Sequence, residues 1–392
     1  MTATARRPLS RPVTAGIVTA LVGFTSSFAV VLTGLHAVGA SPAQAASGLL
    51  ALSLTMGATC IVLAWRYRMP ITAAWSTPGA ALLAASSAVE GGWSAAVGAF
   101  LVVAALILLT ALVPRLGTLI AAIPPSIAQA MLAGVLLPLC LAPVTGLVAN
   151  PWGVIPVVVS WLLFARLAPR WAVPAAFVTA TVVVVIGIAR TGTAVDPAVL
   201  LPVFHLTAPT FTVGSIVGIA LPLFIVTMAS QNVPGVAVMR SFGYEVPWRP
   251  AMLVTGIGSA LGAPAGGHAI NLAAISAALA AAPDAEPDPA RRWIAGVSTG
   301  LSYLVLGGLS AVFAALVLLA PAAVIPAVAG LALFGAFGSA VQQAIDDPGE
   351  RMPAVITFLV AASGVALLGI SAAFWALIAG LVVRGVLHLG RR

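Results

Sequence analysis

One apolar run of membrane-spanning length follows another from the start of this chain to its end, broken only by short loops containing Arg, Pro or Gly. That feature limits the fold more than any other. In hydrocarbon a helix satisfies every backbone N–H and C=O within its own segment. Charged residues make up 7% of the 392 positions and apolar residues 61%, whereas a soluble domain carries about 25% charged residues. The chain lacks the polar surface a soluble protein of this size needs, so its apolar residues face lipid as well as one another. The expectation is an all-α polytopic membrane protein whose first partner is the lipid bilayer.

The runs predict spans at 13–38, 43–65, 71–88, 92–113, 123–148, 152–168 and 172–189, then at 213–239, 250–262, 263–282, 292–319, 323–344, 353–369 and 371–388. That is seven segments on each side of a more polar connector, fourteen in all. The division is 1–12 as an N-terminal tail, 13–190 as a first repeat, 191–212 as the connector and 213–392 as a second repeat. Arg6, Arg7 and Arg11 ahead of an apolar run also describe a signal peptide. No short apolar stretch with a cleavage site follows, so the first run is read as a retained span.

The basic residues test the count. All 17 are Arg, and the net charge is +8. A basic balance can mark a nucleic-acid binder, but these arginines sit between apolar runs, which points to membrane topology and to no nucleic-acid partner. With the N-terminus in the cytoplasm and sides alternating, Arg6, Arg7, Arg11, Arg66, Arg68, Arg115, Arg166, Arg170, Arg240, Arg249, Arg291, Arg292, Arg351, Arg384, Arg391 and Arg392 fall inside, and only Arg190 falls outside. The positive-inside rule predicts this asymmetry. Both termini are therefore expected in the cytoplasm.

Trp93-Ser-Ala-Ala-Val-Gly resembles Trp293-Ile-Ala-Gly-Val-Ser, and each is followed by a span and an Ile-Pro pair, Ile123-Pro124 and Ile325-Pro326. A unit with an odd number of crossings repeats upside down, and inverted repeats are a recurrent transporter plan.

The third and tenth segments depart from ordinary helices. In the third, Pro78 suits a first helical turn with Thr77 as its N-cap. Proline also disfavours helix at the residue before it, so 71–77 is expected extended and 78–89 helical, about 18 Å long. In the tenth, Gly262-Ala-Pro-Ala-Gly-Gly-His-Ala-Ile-Asn is too rich in Gly and Pro for a stable helix, and 269–282 is expected as a half-helix of about 21 Å. Neither spans a core of about 30 Å. Non-helical backbone at that depth is tolerated only inside protein or beside a wet cavity, so the two breaks mark a central site. Two helix N-termini aimed at the midplane favour an anion.

Four stretches make the chain resemble the benzoate–proton symporter family of the BenE type: Ala74-Trp-Ser-Thr-Pro-Gly-Ala, Ser230-Gln-Asn-Val-Pro-Gly-Val-Ala-Val-Met-Arg, Gly266-Gly-His-Ala-Ile-Asn-Leu-Ala-Ala-Ile and Pro287-Asp-Pro-Ala-Arg-Arg-Trp. The resemblance covers nearly the whole chain, and the family is similar in architecture to uracil and nucleobase transporters. It implies a core domain at about 13–113 and 213–319, a gate domain at about 114–190 and 320–392, a gate-domain homodimer, and residence in a bacterial inner membrane. It also implies a substrate site on segments 1, 3, 8 and 10. By position this falls on Ser27 and Phe28, on Ser76, Thr77, Pro78 and Gly79, on Ser230, Gln231 and Asn232, and on Gly266, Gly267, His268, Ala269 and Asn271. The nucleobase relatives carry acidic residues on segments 8 and 10, where this chain has amides. The departure puts a carboxylate relay in doubt and suits an anionic substrate.

The nine acids, Glu90, Asp196, Glu245, Asp284, Glu286, Asp288, Asp346, Asp347 and Glu350, all fall in predicted loops. That leaves His36 and His268 as ionisable candidates at membrane depth. An ionisable residue there is a functional hypothesis by default. His36 is read as a boundary residue. His268 has two readings, a carrier of the coupling proton or a neutral imidazole capping the half-helix. Gln231, Asn232 and Asn271 either contact substrate or hydrogen-bond between helices, and Glu90 reads as a solvated loop residue. Phe24 reads as apolar core. The four histidines lack metal-ligand spacing, Cys60 and Cys140 lie in apolar runs, and no cofactor is expected.

The leading expectation is proton-coupled uptake of benzoate or a similar aromatic acid, with the carboxylate at the half-helix N-termini and the Ser76 and Thr77 hydroxyls. Transport of another organic anion or a nucleobase is the rival. A channel lacks its ring of charges or pore filter here. A structural protein needs no paired breaks, and an enzyme lacks a nucleophile–base pair or HExxH-type motif.

Overall fold

The structure is a computed structural model that describes residues 9–86, 91–113, 123–192, 197–274, 276–367 and 370–389. Arg6, Arg7, Glu90, Arg115, Asp196, Arg391 and Arg392 lie outside the described residues, as does the expected end of the third segment at residue 89.

The first half of the chain runs α1 (Ser10–Thr25), α2 (Phe28–Ala37), α3 (Pro42–Tyr67), β1 (Ala73–Trp75), α4 (Thr77–Ala84), α5 (Gly92–Leu112), α6 (Pro125–Ala149), α7 (Pro151–Leu167) and α8 (Ala172–Thr191). The second runs α9 (Val213–Ser241), α10 (Trp248–Gly262), β2 (Ile270–Leu272), α11 (Ala277–Ala281), α12 (Trp293–Gly308), α13 (Ser310–Leu319), α14 (Val324–Ile345), α15 (Arg351–Ala362) and α16 (Ala372–His388). Among the described residues seven helices are long and apolar enough to cross a membrane, or eight when α12 and α13, bent by 54°, count as one span. Three shorter apolar helices, α7, α15 and α16, accompany them. The chain is a mostly helical polytopic membrane protein.

Local chemistry explains the boundaries. α3 opens on a capping box in which the Ser41 hydroxyl accepts from the Gln44 amide and the Gln44 side chain accepts from the Ser41 amide, with Pro42 in the first turn, where its missing N–H costs nothing. The predicted span 292–319 bends at Leu309, directly after Gly307 and Gly308. Paired glycines are a usual cause of a kink. α15 ends at Ala362, short of the expected 369, because Ser363 and a left-handed Gly364 (φ 65°) turn the chain. The first span breaks at Ser26 and Ser27, whose backbone leaves the helix at φ −150° before α2 starts.

α3 packs on α12 through two glycines. A Cβ on Gly300 would lie 2.5 Å from the Gly57 carbonyl, and one on Gly57 would lie 2.9 Å from the Gly300 carbonyl. Small residues that let two backbones touch are the common adhesive between membrane helices, where the hydrophobic effect supplies no drive.

The broken segments differ from expectation in one respect that matters. The third runs extended into β1 and then into α4, whose cap is Ser76 rather than Thr77, its hydroxyl accepting from the Gly79 amide at 3.1 Å. The tenth is not helical from 269. Ile270–Leu272 is a strand, antiparallel to β1 in the register Ala73↔Leu272, Ala74↔Asn271 and Trp75↔Ile270. The helix that follows, α11, covers only Ala277–Ala281. The reason is satisfaction of buried backbone groups. The Ile270 amide donates to Ser259 Oγ, the Leu272 amide to Asn232 Oδ1, the Ala273 amide to the Thr72 carbonyl, and the Ala269 carbonyl accepts from the Ser76 amide. With partners on both edges, the segment gains nothing by coiling. Asn271 therefore sits at the centre of a strand, not one turn inside a helix.

Three side chains expected in loops are buried. Arg292 is 5% exposed and donates to the carbonyls of Glu286, Ala281 and Pro287, clamping the end of α11, and Glu286 is 1% exposed beside it. Glu350, expected in a loop, is also buried; it precedes α15 and pairs with Arg384 at 2.7 Å.

Candidate functional site

A cavity of about 510 Å³ opens beside the crossing of β1 and β2. That is within the usual range for small-molecule sites. One side is built by the end of α1, the Ser26–Ser27 break that follows it, β1 and α4, Gln231 of α9, the chain after β2, and Tyr303 of α12. The other side is built by Trp161 of α7, the turn holding Arg170, and Leu331 to Ala336 of α14.

Of the expected site residues, Ser27, Thr77, Pro78 and Gln231 line this cavity. They meet because the helix break at Ser27 faces the start of α4. Ser27 Oγ accepts from Trp75 Nε1 at 2.7 Å and from the Thr77 hydroxyl at 3.1 Å, and itself donates to the Gly23 carbonyl at 3.3 Å. This hydroxyl joins segments 1 and 3. Pro78 has no N–H and Ser76 already caps Gly79, so of the first three amides of α4 only that of Thr77 escapes both. The helix end offers fewer free donors than a bare N-terminus would.

Ser76, Asn232, His268 and Asn271 are fully buried behind the cavity wall. His268 Nε2 lies 3.0 Å from the Ser76 carbonyl. A carbonyl only accepts, so Nε2 carries the hydrogen and Nδ1 is left as an acceptor; Nδ1 is buried with no partner among the described residues. Ser76 Oγ pairs with Thr227 Oγ1 at 2.7 Å, tying α4 to α9. Asn232 lies in a π-helical turn, Met228–Asn232, that widens α9. Its Oδ1 accepts from Leu272 at 2.9 Å, and its Nδ2 contacts Met228 Sδ. π-Turns inside helices are frequent at functional sites, and this one aims Gln231 into the cavity and Asn232 away from it. Asn271 Nδ2 donates to the Leu272 carbonyl, while its Oδ1 and the Ser230 hydroxyl are buried without partners among the described residues.

Phe28 is fully buried, in a group of rings with Phe24 and Phe313, and Ala269 is buried behind β2. Gly79, Gly266 and Gly267 serve close packing. A Cβ on Gly79 would collide with Leu223, one on Gly266 (φ 98°) with Trp93 and Gly48, and one on Gly267 with Gly262.

Several lining residues were not among those expected. Trp75 directly precedes the Ser-Thr-Pro that drew attention, and a mid-span tryptophan with its N–H in need of a partner was a usable signal. Tyr303 gave the same signal in α12; its hydroxyl stands over Gly23, where a Cβ would come within 2.5 Å of it. Arg170 was assigned to a loop by its sequence context, and nothing local places that loop at the cavity mouth. It is the one charged side chain lining the cavity among the described residues, is exposed, and has no ion-pair partner there. No group of three or more His, Cys, Asp or Glu suited to a metal occurs among the described residues.

The family model described as benzoate membrane transport protein matches residues 8–386. The chain is 39% identical over 378 residues to inner membrane protein YdcO of Escherichia coli, covering 96% of this chain and 95% of that one. It is 30% identical over 380 residues to the benzoate membrane transport protein of Acinetobacter baylyi, covering 95% and 94%. In fold it is similar to the transmembrane domain of a cyanobacterial bicarbonate transporter, BicA, with a TM-score of 0.59 at 15% identity and 98% of each chain covered. It is also similar to the murine Slc26a9 anion transporter in the inward-facing state, with a TM-score of 0.64 at 13% identity, covering 98% of this chain and 69% of that one.

Proposed function

The chain belongs to the benzoate membrane transport family, and we propose that it carries benzoate or a closely related aromatic carboxylate inward together with a proton, across the bacterial inner membrane, by alternating access. The observation that carries this reading is the chemistry of the central cavity. Polar groups of Ser27, Thr77 and Gln231 cluster on one side, with the Thr77 amide and the Gln231 side chain as the donors not already committed among the described residues; Trp75, Met56 and Trp161 offer apolar surface for a ring, and no carboxylate lines the cavity among the described residues. A nearby carboxylate would repel an anion by several kcal/mol at low dielectric. A nucleobase, whose ring N–H groups need acceptors, finds few here.

The ring lies against Trp75 and Met56, and the carboxylate meets the Thr77 amide and Gln231, with the Thr77 hydroxyl turning from Ser27 to donate to it. Residues 13–113 and 213–319 move as a core domain against a gate of 114–190 and 320–392, which supports a site bounded from both. Counted with the eight long spans, the three shorter apolar helices, α10 and the two strand-and-half-helix segments are consistent with our reading of fourteen segments in an inverted seven-plus-seven repeat. With both termini in the cytoplasm, the Arg170 mouth opens inward. His268 carries the coupling proton. Protonation turns its partnerless Nδ1 from acceptor to donor directly behind the cap of α4.

Uptake of radiolabelled benzoate into proteoliposomes of the pure protein tests the reading. An acid-outside gradient accelerates uptake and a protonophore abolishes the acceleration. Absence of acid-stimulated uptake overturns it.

A further inference from the structure

A second cavity, of about 250 Å³, lies at the other end of α2. Ser27, just before α2, lines the central cavity, and His36, nine residues on, lines the second one. At 1.5 Å per residue these positions are about 14 Å apart. Phenyl rings cluster beside α2 and α13. Phe28 and Phe313 approach to 5.2 Å, Phe24 and Phe313 to 4.8 Å, and Phe28 and Phe177 to 4.9 Å. On α2 Phe28 falls between Ser27 and Leu32, and on α13 Phe313 falls between Ala311 and Ala314; Leu32, Ala311 and Ala314 belong to the second cavity. The two spaces share no lining residue.

The second cavity has apolar walls, including Leu32, Val203, Ala314 and Leu318, and among the described residues its only polar side chains are the imidazoles of His36 and His205. Both residues are exposed, and neither ring has a partner among the described residues. No acidic side chain lines the space among the described residues. His205 is held in place by its backbone. Its amide donates to Ser47 Oγ at 2.9 Å, which donates to the Ala265 carbonyl at 2.8 Å; two residues on, the Thr207 amide donates to the Pro264 carbonyl at 2.8 Å and Trp93 Nε1 donates to the Thr207 hydroxyl at 3.0 Å. The connector is thus fastened across the core, and His205 with it.

An apolar pocket with a few convergent polar groups is the usual form of a small-ligand site, and each neutral imidazole supplies one N–H donor. We propose that this cavity is a second, separate binding site for a monocyclic aromatic carboxylic acid, its ring against the apolar walls and its carboxylate on His36 and His205. The ligand class rests on the transport reading above; the site itself does not.

Fluorine NMR of 4-fluorobenzoate with the full chain in nanodiscs tests it, with empty nanodiscs subtracting lipid partition. Two bound environments are expected. The double variant His36→Ala/His205→Ala weakens one by at least about tenfold, the loss of donors to a charged group, and leaves the other within about twofold. Ala43→Trp, at an exposed position of the pocket wall, removes the same environment by filling it, and Gln231→Leu weakens only the other. A single bound environment sensitive to Gln231→Leu, a second one indifferent to both pocket variants, or no bound environment overturns the second site. Loss of the Gln231-sensitive environment alone counts against the central-cavity reading and leaves the second site standing.

Discussion

His268 Nε2 donates to the Ser76 carbonyl at 3.0 Å, so the imidazole of the tenth segment is fastened to the residue that caps the half-helix of the third. The two broken segments are joined by a side chain as well as by the strand pair, and movement of one is transmitted to the other. His268→Gln keeps a donor for the Ser76 carbonyl and removes the titrating group. It is expected to retain 4-fluorobenzoate binding within about threefold while losing acid stimulation of uptake, whereas His268→Ala also strands a buried carbonyl at a cost of about 1–3 kcal/mol. Binding and uptake measured on both variants check this.

Asn232 Oδ1 is the side-chain acceptor for the Leu272 amide at the edge of β2. Asn232→Ala leaves that amide buried and unmet and is expected to lower stability by about 1–3 kcal/mol. Asn232→Asp restores the acceptor. Thermal unfolding followed by intrinsic tryptophan fluorescence in detergent should rank the alanine variant lowest in Tm.

Gln231 and Thr77 face the same space from different segments. Gln231→Leu and Thr77→Val are each expected to weaken benzoate binding by about tenfold or more, each losing one donor to a charged group, with the fold intact. Isothermal titration of the variants beside the parent gives the comparison. Unchanged affinity in both places the carboxylate elsewhere.

Arg170 supplies the cavity's cation at its rim. An exposed charge acts on encounter more than on the bound state. Arg170→Gln is therefore expected to slow benzoate association by several-fold at low ionic strength and to make that rate nearly independent of salt, with a smaller change in dissociation. Stopped-flow quenching of tryptophan fluorescence across a salt series reads both.

Particular residues show how far reading along the chain reaches. Thr77, Pro78 and Gln231 were legible because polar or helix-breaking residues inside an apolar run have few other uses, whereas Ser27 came only from the resemblance to the family. The Gly-Pro break before His268 was legible for the same reason. Asn271 was assigned to a half-helix because alanine and leucine around it favour coiling, and that propensity lost to backbone partners on Thr72, Ser76, Asn232 and Ser259. Tyr303 and Arg170 were missed as site residues because their helix and loop reach the cavity only through packing.

The sequence by itself determined that the chain lives in a membrane and where its segments break, since composition and the chemistry of Pro and Gly act within a few residues. Only the tertiary structure decided what the breaks become. A strand needs a partner strand, and the partner of Ile270–Leu272 is Ala73–Trp75 in the other half of the chain. The same packing decided which polar groups face the cavity, turning Gln231 inward and Asn232 onto β2, a choice that the widened turn of α9 makes and that no neighbouring residue dictates.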